Sequence, residues 1–152
     1  MTDVSAPDAQ TPDVQTPDAE TRAAMVKAAC TARGRAYAPY SRHPVGAAVL
    51  DEQGAIHAGC NVENAAFPLG TCAEAAAISA MVLAGGRRVV HVVVAGPGAH
   101  VCTPCGGCRQ KIREFAPSGA GVTMVDDAGA TLLETDSAAL LPHSFGPDNL
   151  PG

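Results

Sequence analysis

The chain has very little aromatic surface to offer. Tyr37, Tyr40, Phe67, Phe115 and Phe145 are all of it, and tryptophan is absent. A platform that stacks successive bases of a single strand needs more than that. No run of 18 or more apolar residues occurs, which excludes a hydrophobic helix of spanning length. The first twenty residues contain no Lys or Arg, so the basic segment that opens a secretory leader is missing. Positive charge is short elsewhere too. Asp3, Asp8, Asp13, Asp18 and Glu20 are five of the fifteen acidic residues, which leaves ten acids against ten Lys and Arg. The formal charge of −5 therefore belongs to the first twenty residues, and the body is neutral. A neutral body lacks the electrostatic footprint of a polyanion binder.

A length of 152 residues fits one domain that buries roughly 70% of its unfolded surface. Six cysteines without a visible leader fit a reducing compartment, with the cytoplasm as the expectation. In such a compartment thiols ligate metals or sit buried more often than they pair. Residues 1–20 repeat a five-residue unit, with Thr11-Pro12-Asp13-Val14-Gln15 followed by Thr16-Pro17-Asp18-Ala19-Glu20. Proline in every unit blocks a continuous helix, and almost nothing large and apolar is present to bury. This stretch is expected to be a disordered acidic tail, and residues 21–152 the folded domain.

From Thr21 to about Arg35, Ala24, Met25, Ala28, Ala29 and Ala32 give helical spacing, with Asp18 or Thr21 as cap and Gly34 as terminator. A Pro-punctuated loop runs from Tyr37 to Pro44. Val45–Leu50 reads as a buried strand, Asp51–Gly54 as a hairpin turn, and Ala55–Glu63 as the partner strand. Residues i and i+2 of a strand share a face, so Asn61 and Glu63 are expected to look into one pocket. Cys72 to about Ala84 is a strong helix ended by Gly85-Gly86. Val89–Ala95, nearly all apolar, suits a central strand covered on both faces. Cys105 to about Phe115 reads as a helix, Val122–Val125 and Thr131–Leu133 as short strands, Ala138–Leu141 as a helical turn, and Pro142–Gly152 as irregular. That order predicts an α/β fold, a three-layer sheet with helices on both faces.

Cys105-Gly106-Gly107-Cys108 has the C-x2-C spacing that lets two thiolates from one turn reach a single metal. Cys72 lies 33 residues earlier at a helix start, and Glu74 two residues beyond it. In mid-helix, i and i+2 diverge by about 200°, so both approach one point only off the helix N-terminus. Two helix ends are therefore expected to converge on the metal. Zinc with three thiolates carries a formal −1, and two helix N-termini of roughly +0.5 charge each oppose it. Three protein ligands leave the fourth position open for water, the catalytic arrangement. Other readings of these thiols are an iron–sulfur run through Cys102, Cys105 and Cys108, and a closed structural zinc with Cys102 as fourth ligand. Cys102 also fits a plain core thiol, as do Cys30 and Cys60.

At these residues the sequence resembles the cytidine deaminases of the short, zinc-dependent, homotetrameric class. Val45-Gly46-Ala47-Ala48, Gly59-Cys60-Asn61-Val62-Glu63-Asn64-Ala65, Cys72-Ala73-Glu74 and Pro104-Cys105-Gly106-Gly107-Cys108-Arg109-Gln110 carry the resemblance, which covers roughly residues 21–146. It implies a mixed, about five-stranded sheet within an α/β/α sandwich. It also implies a hydrolase of C–N bonds in cyclic amidines, deaminating cytidine and 2′-deoxycytidine in pyrimidine salvage. Zinc would be held by Cys72, Cys105 and Cys108, with Glu74 as the catalytic proton carrier. Asn61 and Glu63 would bind ribose hydroxyls, the Ala73 amide would contact the base, and the Thr103 carbonyl would face the leaving amine. Phe145 would stack on the base in a neighbouring subunit's site, which makes a homotetramer with shared sites the expected assembly. The neutral body agrees with a small nucleoside substrate rather than a polymer.

Three positions depart from that family's usual pattern. His43 stands where a Phe packs near the nucleoside, Phe67 replaces a Tyr, and Ala75 replaces an Arg that follows the catalytic Glu. With Ala75 in place, Arg109 is expected to be the dominant cation beside the thiolates. His43 keeps open a cytosine-containing antibiotic nucleoside as substrate. A non-catalytic zinc-stabilised binding protein is the reading from another class, and Glu74 speaks against it.

Overall fold

The computed structural model describes residues 16–116 and 120–150. Residues 1–15, most of the repeated acidic segment, lie outside them, and so does the disorder expected there. The first helix, α1 (Ala19–Arg33), begins two residues before its expected start. Its cap explains this: the Asp18 side chain accepts a hydrogen bond from the Thr21 amide at 2.7 Å. Capping by a short acid at this position stabilises a helix start by about 1 kcal/mol. Gly34 closes the helix, as expected.

Strands β1 (Gly46–Asp51) and β2 (Ile56–Cys60) form the hairpin, paired from Gly46↔Cys60 to Leu50↔Ile56. The partner strand thus ends at Cys60 and does not run on to Glu63. The reason lies in one side chain. Where the ladder would continue, the Val45 amide donates to Asn61 Oδ1 at 2.8 Å, and the backbone carbonyl of Asn61 turns to the Tyr37 amide instead.

Helix α2 (Ala73–Leu83) follows, with Cys72 as its N-cap residue. The chain then enters β3 (Val89–Ala95) and α3 (Gly106–Phe115), whose N-cap residue is Cys105. It ends with β4 (Gly121–Val125), β5 (Thr131–Asp136), α4 (Ser137–Leu140) and a short 3-10 turn at Pro147–Asn149 in the segment read as irregular. The five strands form one sheet in the order β2-β1-β3-β4-β5. Only the β3–β4 pairing is parallel, with α3 as its crossover, so the sheet is mixed as expected.

The apolar run of β3 serves two cores. Val92 and Val94 pack on one side with Ala47, Val49, Met124 and the inner faces of α2 and α3 (Ala77, Ile78, Met81, Ile112). Val93 and Ala95 pack on the other with Ala48, Leu50 and α1's Met25 and Ala29. Fully burying a Met or Val side chain stabilises by roughly 1.5–3 kcal/mol, so each helix is fixed by its buried stripe. Two glycines set how close the layers come. A Cβ on Gly46 would lie 2.0 Å from the Ala29 carbonyl oxygen, and one on Gly59 2.4 Å from the Ala77 amide nitrogen. The sheet can therefore press directly against α1 and α2.

Candidate active site and metal centre

The two helix starts meet at one end of the sheet. Because α2 and α3 pack side by side on the same core, Cys72 and Cys105 cap adjacent N-termini, and Cys108 lies one turn into α3. The three sulfur atoms all fall within 4.8 Å of one another, with Cys72 Sγ and Cys105 Sγ 3.8 Å apart. A tetrahedral zinc with bonds of about 2.3 Å requires sulfurs about 3.8 Å apart, so the donor set fits that ion. Cys102 stands outside this group, so among the described residues the group has three protein donors rather than four. No disulfide links any cysteine of the chain.

The electrostatics favour a cation in this group. Cys108 is buried, and its thiol is pushed far up first by burial and then by the Glu74 carboxylate. Cys72 is raised as well, by burial and by Cys105. At Cys105 burial works in the same direction, yet the Cys108 backbone and the neighbouring thiols outweigh it and hold the group below its usual value. Crowded thiols flanked by a carboxylate are acids short of a positive partner. A divalent ion supplies one, and the two helix N-termini add to it.

Glu74 is only 4% exposed, and its Oε2 accepts a hydrogen bond from Cys108 Sγ at 3.2 Å. A carboxylate in the first turn of a helix commonly serves the backbone as a cap; here it turns toward the sulfurs. Ala73, beside it, is fully buried. Arg109 lies next to the cluster, but its guanidinium donates to the carbonyls of Pro104 (2.8 Å) and Leu140 (2.9 Å) and to the Thr103 hydroxyl (3.4 Å). It shapes the loop that delivers Cys105 and ties it to the C-terminal segment.

Asn61 and Glu63 are both turned toward the loop at 40–45. Asn61 Nδ2 donates to the His43 carbonyl at 3.0 Å, complementing the Val45 bond to its oxygen. Glu63 Oε2 accepts from the amides of Tyr40 (2.8 Å) and Ser41 (3.2 Å). The Ser41 hydroxyl, with those amides, holds the Glu63 carboxyl below its usual range. Beside Glu63 opens a pocket of ≈ 360 Å³ lined also by Tyr40, Ser41, Asn64, Phe67 and Gly70. The Tyr40 and Phe67 rings meet edge to face in it, centroids 6.0 Å apart. Thr103 is exposed. Phe145 is 59% exposed, while its backbone is held by Gln110 Nε2, which donates to the Phe145 carbonyl at 3.0 Å.

Sequence reasoning missed three features of this site. The amides of Tyr40 and Ser41 were not expected as partners of Glu63, nor Gln110 as the tether of Phe145, nor the contact between His43 and Cys102. Backbone donors carry no residue-type signal, and the other two pairs are far apart in sequence. The Pro39-Tyr40-Ser41 turn chemistry was the one local hint.

The family model for the cytidine and deoxycytidylate deaminase zinc-binding region matches residues 19–124. Cytidine deaminase from Sporosarcina psychrophila is 41% identical over 119 residues, spanning 78% of this chain and 87% of that protein. The Mycobacterium tuberculosis cytidine deaminase is 39% identical over 123 residues, 81% of this chain and 88% of its own length. Among solved structures, cytidine deaminase from Burkholderia pseudomallei superimposes with a TM-score of 0.75 at 38% identity, covering 81% of this chain and 98% of that one. With the family model matching residues 19–124, more than half of the chain, and relatives this similar in sequence and fold, the chain belongs to the cytidine deaminase family.

Proposed function

We propose that the protein deaminates cytidine and 2′-deoxycytidine hydrolytically, giving uridine and 2′-deoxyuridine plus ammonia. The observation that carries this is the convergence of three thiols and the buried Glu74 carboxylate on one point between two helix starts. Cys72, Cys105 and Cys108 would hold zinc, which when bound lowers the pKa of a coordinated water toward neutrality. Glu74 would take a proton from the attacking water and deliver it to the ring nitrogen of the base. Glu74 would then take the water's second proton from the hydroxyl now on the ring carbon and give it to the exocyclic nitrogen, so that the carbonyl forms, the C–N bond breaks and ammonia departs. Glu74 ends as the carboxylate it began as, and the reaction consumes one water. Such proton transfer by a positioned side chain contributes about 10²–10⁴-fold.

The remaining residues bind and exclude. Glu63, whose Oε2 takes both loop amides, and Asn61, which retains a second N–H on Nδ2, are assigned to the sugar hydroxyls. The Ala73 amide, at the start of α2, and the Thr103 carbonyl are assigned to the base, and His43 to the rim of the sugar site. Phe145, exposed yet backbone-tethered, is assigned to the site of a neighbouring copy in a homotetramer. Six free thiols suit a reducing, cytoplasmic setting.

The test is direct. Purified protein is incubated with cytidine, deoxycytidine, cytosine and CMP, with and without a chelator, and ammonia is measured. Chelator-sensitive ammonia from the two nucleosides is the expected outcome. No release from either by the zinc-loaded protein would overturn the assignment.

A further inference from the structure

One side-chain contact joins the half of the site around Asn61 and Glu63 to the half around the thiols, and the catalytic roles above do not use it. Nε2 of His43 lies 3.7 Å from Cys102 Sγ. Cys102 precedes the metal-bearing loop and is itself fixed in place: a Cβ on Gly96, just beyond β3, would meet the Cys102 Cβ at 2.3 Å. It is a half-buried thiol outside the ligand group, so it can serve as an anchor without competing for metal.

The backbone of His43 serves the opposite half. Its carbonyl accepts from Asn61 Nδ2 at 3.0 Å, and its amide donates to the Ser41 hydroxyl at 3.0 Å. The Tyr40 and Ser41 amides in turn hold Glu63. Between Ser41 and His43, Arg42 adopts a φ of 56°, a left-handed conformation that a non-glycine residue disfavours. A backbone held in such a state needs its surroundings to over-determine it. Residues 40–45 thus clasp both polar residues of the strand end, and His43 is a member whose side chain reaches the metal-bearing side.

We propose that His43 is a positioning residue, which, anchored on Cys102, holds the 40–45 backbone so that Asn61 and Glu63 meet the sugar hydroxyls of a nucleoside. The inference rests on the proposed sugar-binding role of Asn61 and Glu63, and the experiment separates the two. Steady-state kinetics of the zinc-loaded enzyme are measured with cytidine and with 2′,3′-dideoxycytidine, which lacks the ring hydroxyls. Zinc content and melting temperature are recorded for every variant.

His43→Ala is expected to raise KM for cytidine about tenfold, with kcat and zinc content within about twofold and dideoxycytidine little affected. His43→Gln, which can still reach the thiol, should recover to within about threefold of wild type. Cys102→Ala should reproduce the cytidine effect, and the double variant should be no worse than either single one, the signature of two residues acting through one contact. Should His43→Ala fail to fold, His43→Gln and Cys102→Ala still decide the matter. Additive effects, or an equal KM rise for the dideoxy substrate, overturn the positioning role. A raised cytidine KM in Asn61→Ala beside an unchanged one in His43→Ala overturns it alone. Unchanged KM in both Asn61→Ala and Glu63→Gln overturns the sugar assignment, and this inference with it.

Discussion

Cys72, Cys105 and Cys108 stand at the ends of two helices whose inner faces are fixed by Ile78, Met81 and Ile112 in a closed core. Asn61 and Glu63 stand beyond the end of a strand and are kept in place by amides and a carbonyl of one loop. The metal half takes its geometry from packing, the nucleoside half from a handful of hydrogen bonds. Each such bond contributes about 0.5–1.5 kcal/mol net, whereas a large-to-small change in the core costs about 2–5 kcal/mol. The thiol cluster should therefore survive most changes in the 40–45 loop, while the loop has little with which to resist a change in Asn61.

The comparison is broken most sharply at Glu74. Glu74→Gln keeps the shape and removes the proton carrier, and turnover should fall by about 10²–10⁴-fold while metal analysis still finds one zinc per chain. Loss of the metal instead would mean that the carboxylate is part of the cluster's support. Next in size is Met81→Ala, which empties the core under α2. It should lower stability by about 2–5 kcal/mol in denaturant unfolding and weaken zinc retention, with KM for cytidine nearly constant in the protein that remains folded.

Arg109→Ala tests the tie between the metal-bearing loop and the C-terminal segment. Its guanidinium holds Pro104, Thr103 and Leu140 together, so its removal should cost about 10- to 100-fold in kcat/KM. Arg109→Lys should rescue only part, because an ammonium does not reproduce the planar fork. Unchanged zinc content and turnover in Arg109→Ala would rule out the role.

The smallest expected effect comes from the far side of the sheet and serves as a control for both halves. His91 is buried, with Nε2 2.9 Å from Thr123 Oγ1, and burial, with help from Arg22, lowers its pKa to about 4. The unfolded chain, at about 6.5, takes up the proton first, so this contribution to stability is present above that pH and fades as pH falls toward 4. Between pH 7 and 5, wild type should lose about 1–2 kcal/mol more stability than His91→Gln in matched unfolding curves. Parallel curves would show that His91 does not titrate there.

The difference between the halves also explains what could be read from the sequence. Cys72, Glu74, Cys105 and Cys108 are local signals, since C-x2-C spacing and a cysteine at a helix start impose their own geometry. Val89–Ala95 was legible because a continuous apolar run of that length needs cover on both faces, and β3 has the same bounds. The end of β2 was not legible. It is set by Asn61 folding its side chain onto Val45, a choice that a β-rich pattern running to Glu63 does not reveal. Likewise the helix pattern from Thr21 showed α1, but its first residue was decided by the carboxylate of Asp18. The exposed side of the Phe145 segment depends on Gln110, thirty-five residues away, and no periodicity reports that pairing.

The central strand β3 separates Cys72 from Cys105 along the chain. During synthesis the first thiol emerges well before the other two, and the sheet's middle must be laid down before they can meet. No short fragment can assemble the trio by itself, unlike a compact finger whose ligands all lie within one hairpin. The full donor set therefore exists only once the chain has run through β3 and on to Cys108.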